Sequence, residues 1–119
     1  MSADKNDNQF GIFVYAECFQ GNIQEIIKSQ QTIEKWAYIL HDKDGASPHY
    51  HVYLKIRDSA ITMKQIAKWF GVPIGFVSKV SGGTNEVRLY FTHRKNERNN
   101  LYQYSSTEII SNFDIIEEE

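Results

Sequence analysis

The chain has 119 residues, 24% of them charged, and a formal net charge of −2. That length suits one domain built on a single core. The polar start Met1-Ser2-Ala3-Asp4-Lys5-Asn6-Asp7-Asn8 does not resemble a signal peptide, no apolar run reaches membrane-spanning length, and a lone cysteine excludes an internal disulfide, so a cytoplasmic protein is expected.

Residues 1–9 are expected to form a flexible N-terminus. Residues 10–19 are a β-branched and aromatic run that predicts a first strand, with Cys18 in it as a buried, inert thiol. Residues 22–35 carry Ile23, Ile26, Ile27 and Ile33 at roughly helical spacing, and Asn22 is a candidate N-cap. Trp36-Ala37-Tyr38-Ile39-Leu40-His41 and His49-Tyr50-His51-Val52-Tyr53-Leu54-Lys55 predict two more strands. Residues 62–70 read as a short amphipathic helix stopped at Gly71 and Pro73, and residues 76–80 as a fourth strand closed by Ser81-Gly82-Gly83. From Asn85 onward, Val87, Tyr90, Phe91 and Arg94 return to helical spacing until Asn99-Asn100 breaks it. Trp36 and Trp69 are assigned to the core. Antiparallel strands with helices inserted between them predict an α+β fold whose helices cover one sheet face. Residues 114–119 form an acidic tail, expected as a linker to a C-terminal domain that this chain lacks.

The densest chemistry lies between the second and third strands. His41-Asp42-Lys43-Asp44-Gly45-Ala46-Ser47-Pro48-His49-Tyr50-His51 brings three imidazoles and two carboxylates together. Side chains alternate along a strand, so His49 and His51 share a face while Tyr50 takes the other. A seven-residue connection with Gly45 and Pro48 joins antiparallel neighbours and returns His41 and Asp44 to the histidine pair. Such a mixed set suits Mn, Zn, Fe, Co or Ni, and with water or phosphate in open positions also Mg. A lone histidine would more often cap or line a strand end; the clustering favours a metal site on an exposed sheet face.

Charge is unevenly spread. Residues 52–98 hold nine bases against three acids, whereas residues 105–119 hold five acids and no base. A basic centre is compatible with a phosphate-tracking surface, for which Lys55, Arg57, Lys79, Arg88, Lys95 and Arg98 are the candidates. The same residues would equally serve as solvated faces.

The sheet face carrying His49 and His51 needs a partner, and the last helix supplies a candidate nucleophile in Tyr90. Tyr90 lies one turn before His93 and Arg94, so a phenol, an imidazole and a guanidinium share one helical face. A phenolate beside a polarised phosphate can attack in line, and Arg94 can neutralise charge on the phosphoryl oxygens. Alone, Tyr90 would be a packing aromatic. Tyr102 and Tyr104 are rival nucleophiles whose period-two spacing also fits an extended packing segment or a stacking platform.

The strand ending in His41-Asp42-Lys43-Asp44, the Pro48-His49-Tyr50-His51-Val52 motif and Tyr90-Phe91-Thr92-His93 together resemble the endonuclease domain of rolling-circle plasmid replication initiators, within the HUH endonuclease superclass. The resemblance runs from the first strand to Asn112-Phe113-Asp114. It implies a ferredoxin-like (RRM-like) antiparallel sheet with helices on one face and the metal and tyrosine on the other. It implies further that His41, Asp44, His49 and His51 bind a divalent metal, commonly Mn or Mg, and that Tyr90 nicks single-stranded or hairpin DNA at a plasmid origin, leaving a 3′-hydroxyl for the host replication machinery. A longer initiator would add an oligomerisation or helicase segment. Viral relatives carry a lysine one turn after the tyrosine, where this chain has His93, so His93 is kept as an auxiliary candidate and Asp42 has no role assigned. Two alternatives stand beside this reading. One is a small single-strand transposase of the same superclass; the other is a non-catalytic ferredoxin-like nucleic-acid module in which Tyr50 and Tyr53 stack on bases. If the basic centre tracks a DNA backbone, affinity should fall steeply with salt despite the acidic balance, because each neutralised phosphate releases counterions. A flat salt dependence would point to a protein partner.

Overall fold

The computed structural model describes residues 9–17, 19, 21–43, 47–57, 60–80, 87, 91, 92 and 104–113. Strand β1 (Gln9–Tyr15) is followed by helix α1 (Ile23–Lys28), strands β2 (Ile33–His41) and β3 (His49–Ile56), helix α2 (Met63–Phe70), and strands β4 (Val77–Lys79) and β5 (Ile110–Ser111). All neighbours pair antiparallel in one five-stranded sheet of order β4-β1-β3-β2-β5. β3 therefore lies between β1 and β2, the split arrangement of ferredoxin-like folds. The α+β class expected from the sequence is the one observed. Cys18 and the terminal segments 1–8 and 114–119 lie outside the described residues.

One sheet face is apolar because β1 and β3 alternate. Phe10, Ile12 and Val14 from β1 meet Val52, Leu54 and Ile56 from β3, and Ile23, Ile27, Ile66, Ala67 and Phe70 of the two helices close over them. Each of these side chains except Ala67 contributes about 1.5–3 kcal/mol on removal from water. α1 is too short to persist alone. It is held by Ile23 and Ile27 in the core and by Asn22, whose side-chain oxygen accepts from the Glu25 N–H at 3.2 Å. α2 has a reciprocal cap: the Thr62 hydroxyl accepts from Gln65 N–H at 3.2 Å, and the Gln65 side chain accepts from Thr62 N–H at 2.9 Å. Gly71 ends it in the left-handed region at φ 67°.

The helix expected over residues 22–35 stops at Lys28. Ile33, which continued its periodicity, instead opens β2 opposite Ile56 and is buried in the same core. A turn through Gln30 achieves the reversal, Ile33 N–H donating to the Gln30 carbonyl at 3.1 Å. β2 therefore begins three residues earlier than expected. β1 ends at Tyr15 rather than running to residue 19, and a single 3₁₀ turn (Ile74–Phe76) precedes β4. Trp36 and Trp69 are only partly buried and pack against the margin of this core.

The second face carries its own cluster of Ala37, Ile39, Tyr53, Val87, Phe91, Tyr104 and Ile109. Val87 and Phe91 have helical backbone, in line with the helix expected there. β5 was not foreseen: only two residues pair, and Asn112 completes the edge. Its Oδ1 accepts from Trp36 N–H at 2.8 Å, its own N–H donates to the Trp36 carbonyl at 3.1 Å, and its Nδ2 donates to the Glu34 carbonyl at 3.2 Å. Among the described residues no helix is long and apolar enough to cross a membrane.

Tyr53 is almost fully buried and donates its hydroxyl proton to Gln9 Oε1 at 2.6 Å. Burial, with the charge of Glu34 added, pushes its phenol from 10.0 up to about 12. The unfolded phenol loses its proton first, so this contribution to stability is intact below pH 10 and is lost as pH rises towards 12. Tyr53→Phe should lower stability at neutral pH by about 1 kcal/mol and show a shallower alkaline decline than the parent in denaturant melts across that window. Parallel pH profiles would contradict the assignment.

Candidate metal centre

Strand register builds the site. β2 and β3 pair His41 directly with His49 and Ile39 with His51; β1 and β3 pair Tyr15 with His49 and Phe13 with His51. Directly opposed residues share a face. The three imidazoles thus converge on the face away from the helices, with ring centroids 5.3 Å (His41–His49), 4.6 Å (His41–His51) and 5.0 Å (His49–His51) apart. One nitrogen from each lies within 4.8 Å of the other two. Imidazoles bind metals at about 2.0–2.1 Å, so a sub-ångström contraction would let one ion touch all three.

Two of the rings have their tautomers set. His41 Nε2 lies 2.6 Å from the Phe91 carbonyl, and His49 Nδ1 lies 2.7 Å from the Ser47 carbonyl. A carbonyl only accepts, so each of these nitrogens carries the proton, and in the neutral ring the opposite nitrogen, His41 Nδ1 or His49 Nε2, carries the lone pair. Outer-sphere acceptors of this kind orient metal-binding histidines. The donor set fits a divalent ion.

The site is not on an exposed face, as the sequence suggested. His41 is 0% and His49 6% exposed; His51 is half-buried. The cover comes from residues far along the chain. The Tyr104 ring lies flat on His41, 4.4 Å away at 13°, and its hydroxyl accepts from Lys43 N–H at 2.7 Å. Tyr104 N–H donates to the Thr92 carbonyl at 3.2 Å. Tyr104 is therefore a fully buried residue that packs on His41. On the open side, Phe13 stacks on His49 at 4.6 Å and 17°. Sequence reasoning missed Phe13, Phe91 and the use of Tyr104 against His41. Period-two alternation from Gln9 to Tyr15 puts Phe13 on one face, but only the pairing with β3 says what that face meets.

Asp44, Tyr90, His93, Arg94 and Tyr102 lie outside the described residues, as do the DNA-contact candidates Arg88, Lys95 and Arg98. The structure does not gather the other three. Lys55 is on the histidine face but at the opposite end of β3, opposed to Gln9 and Lys35. Lys79 is on the edge strand opposite Phe10, a residue of the helix-side core. Arg57 donates to the Gln31 carbonyl at 2.9 Å. Tyr50 and Tyr53 take opposite faces, Tyr53 buried and Tyr50 against Phe19 and Tyr38.

A family model described as plasmid replication protein, origin binding domain, matches residues 2–116. The chain belongs to this family. A replication protein of Onion yellows phytoplasma (strain OY-M) is 34% identical over 110 residues, an alignment covering 77% of this chain and 28% of that protein. The chain thus spans less than a third of the length of the curated relative it matches. The matched family is thus one of origin-binding domains of plasmid replication proteins, and in this chain the sheet of that domain carries the histidine cluster.

If His41, His49 and His51 share one ion, Mn at about 100 times its dissociation constant should stabilise the parent by ~2.7 kcal/mol. Alanine at any of the three should remove that increment in thermal melts. His41→Ala should also cost roughly 1–3 kcal/mol without metal, more than His51→Ala, because it empties a space beneath Tyr104. Undiminished stabilisation of the variants by Mn would remove these histidines from the metal site.

Proposed function

We propose that this origin-binding domain is a metal-dependent, site-specific single-strand DNA endonuclease and strand transferase that starts rolling-circle replication of a plasmid. The observation that carries the reading is the convergence of His41, His49 and His51, two of them with the lone-pair nitrogen set by carbonyl acceptors. Asp44, one residue beyond the Lys43 that Tyr104 holds, is the fourth ligand in this proposal. Bound there, Mn or Mg would supply charge neutralisation at a phosphoryl oxygen.

Tyr90 is the proposed nucleophile. It precedes Phe91 in the chain, and the Phe91 carbonyl holds the His41 ring proton, which supports a nucleophile close to the ligands. The Tyr90 oxygen forms a bond to phosphorus as the bond to the 3′ oxygen breaks. The phenol gives up a proton and the 3′ oxygen gains one, leaving a 5′-phosphotyrosine and a free 3′-hydroxyl from which a host polymerase extends. Reversal by a second 3′-hydroxyl is the joining step. His93 and Arg94, three and four residues on, are the auxiliary groups in this scheme.

Membership in a plasmid replication family favours an initiator over a transposase with the same site. The alternative of a passive base-stacking module loses its stated residues, since Tyr53 is buried and Tyr50 lies on the helix side.

Tyr90→Phe keeps the ring and deletes the hydroxyl, so binding of a single-stranded origin oligonucleotide should persist while nicking and adduct formation disappear. Tyr102→Phe and Tyr104→Phe should keep both activities, the latter losing about 1 kcal/mol of stability with its bond to Lys43. Mass spectrometry of the trapped adduct identifies the modified residue. Nicking by Tyr90→Phe, or an adduct on another tyrosine, would overturn the mechanism.

A further inference from the structure

A ring path leads outward from the histidines. Phe13, stacked on His49, is 4.9 Å from the Tyr15 ring and 5.7 Å from Phe76, and Tyr15 and Phe76 are 6.0 Å apart. Tyr15 is 41% exposed. Both Tyr15 and Phe76 then form part of the wall of a cavity of about 580 Å³ at the end of β1, which Trp69, Gly71 and Pro73 also line. Lys68 is the one charged residue in that lining among the described residues.

The volume falls within the range of small-ligand sites. An aromatic wall with a single cation has the chemistry of an unpaired nucleotide: a flat base against the rings and a phosphate beside the ammonium. Continuity with the histidines selects single-stranded DNA over a peptide or a free nucleotide. Two ring contacts, 4.6 and 5.7 Å, separate His49 from Phe76, a reach of about three nucleotides at ~3.4 Å per stacked base.

We propose that this cavity is a nucleobase subsite, which takes one unstacked base of the single strand within about three nucleotides of the phosphate at the histidines. It rests on the reading of the domain as a single-strand endonuclease, yet binding here needs neither metal nor Tyr90. The subsite would set the register of the strand across the cleavage site, so Tyr15 and Phe76 act as positioning residues.

Trp69 reports on the cavity directly, and Trp36 is the only other tryptophan. In a Trp36→Phe background with EDTA present, an oligothymidylate of about twelve nucleotides should quench Trp69 fluorescence saturably. Tyr15→Ala and Phe76→Ala should each weaken binding about tenfold, the loss of roughly one base stack. Tyr15→Phe should restore it, and Lys68→Gln should lower the salt slope by about one phosphate. Adding His49→Ala or Tyr90→Phe should leave the quenching in place, so a failure of the nicking mechanism and a failure of the subsite give different results. Anisotropy showing the oligonucleotide bound with Trp69 unquenched, no binding in EDTA, or unchanged affinity in both alanine variants would overturn the subsite.

Discussion

Everything at the histidine face depends on the register of β1, β3 and β2. Strand side chains alternate with a period of two, so a slip of one residue between β2 and β3 would turn His49 and His51 towards the helices and bring Tyr50 and Val52 to the site. Burial prevents that slip. Val52, Leu54 and Ile56 are each at most 1% exposed beneath the helices, and turning them outward would forfeit that burial while placing imidazoles in hydrocarbon. The hydrophobic layer under α1 and α2 is therefore what holds three nitrogens together on the other side of a sheet one residue thick.

The roof over the histidines is built differently. Among the described residues it comes from Val87, Phe91, Tyr104 and Ile109 and combines apolar packing with directed hydrogen bonds: Phe91 and Tyr104 cover rings, while the Phe91 carbonyl accepts from His41 and the Tyr104 hydroxyl from Lys43 N–H. Tyr104 touches His41, Lys43 and Thr92 at once. It thereby ties Thr92 to the end of β2 at His41 and to Lys43 just beyond it. Such preorganisation is what separates histidines that sit near one another from histidines fixed to receive a ligand.

Much of this was legible in the residues because periodicity and spacing are local. The His49-Tyr50-His51 alternation and the seven-residue return from His41 are short-range facts, and the hairpin follows them. Asn22 announced its helix with a side chain that caps its own backbone. What failed was of two kinds. Ile33 matched the helical period by coincidence, and its true preference, a β-branched residue opposite Ile56, required knowing where β3 lay. The burial of His41 and the roles of Phe91 and Tyr104 depend on contacts spanning 50 residues or more, for which no local pattern exists. Phe13 belongs to the same class: its face is written in the alternation, but its neighbour is a product of pairing.

The side chain of Asn112 has a consequence for how this molecule behaves beside copies of itself. β5 pairs through only two residues, which would leave the outer rim of β2 open to a foreign strand. The Asn112 amide imitates one more peptide group there, accepting from Trp36 and donating to Glu34, so the rim is occupied without being lengthened. At the other margin the strand is three residues long. Among the described residues, a sheet whose three inner strands are seven to nine residues long thus shows its neighbours two stubs, and short edge strands of this kind limit edge-to-edge pairing.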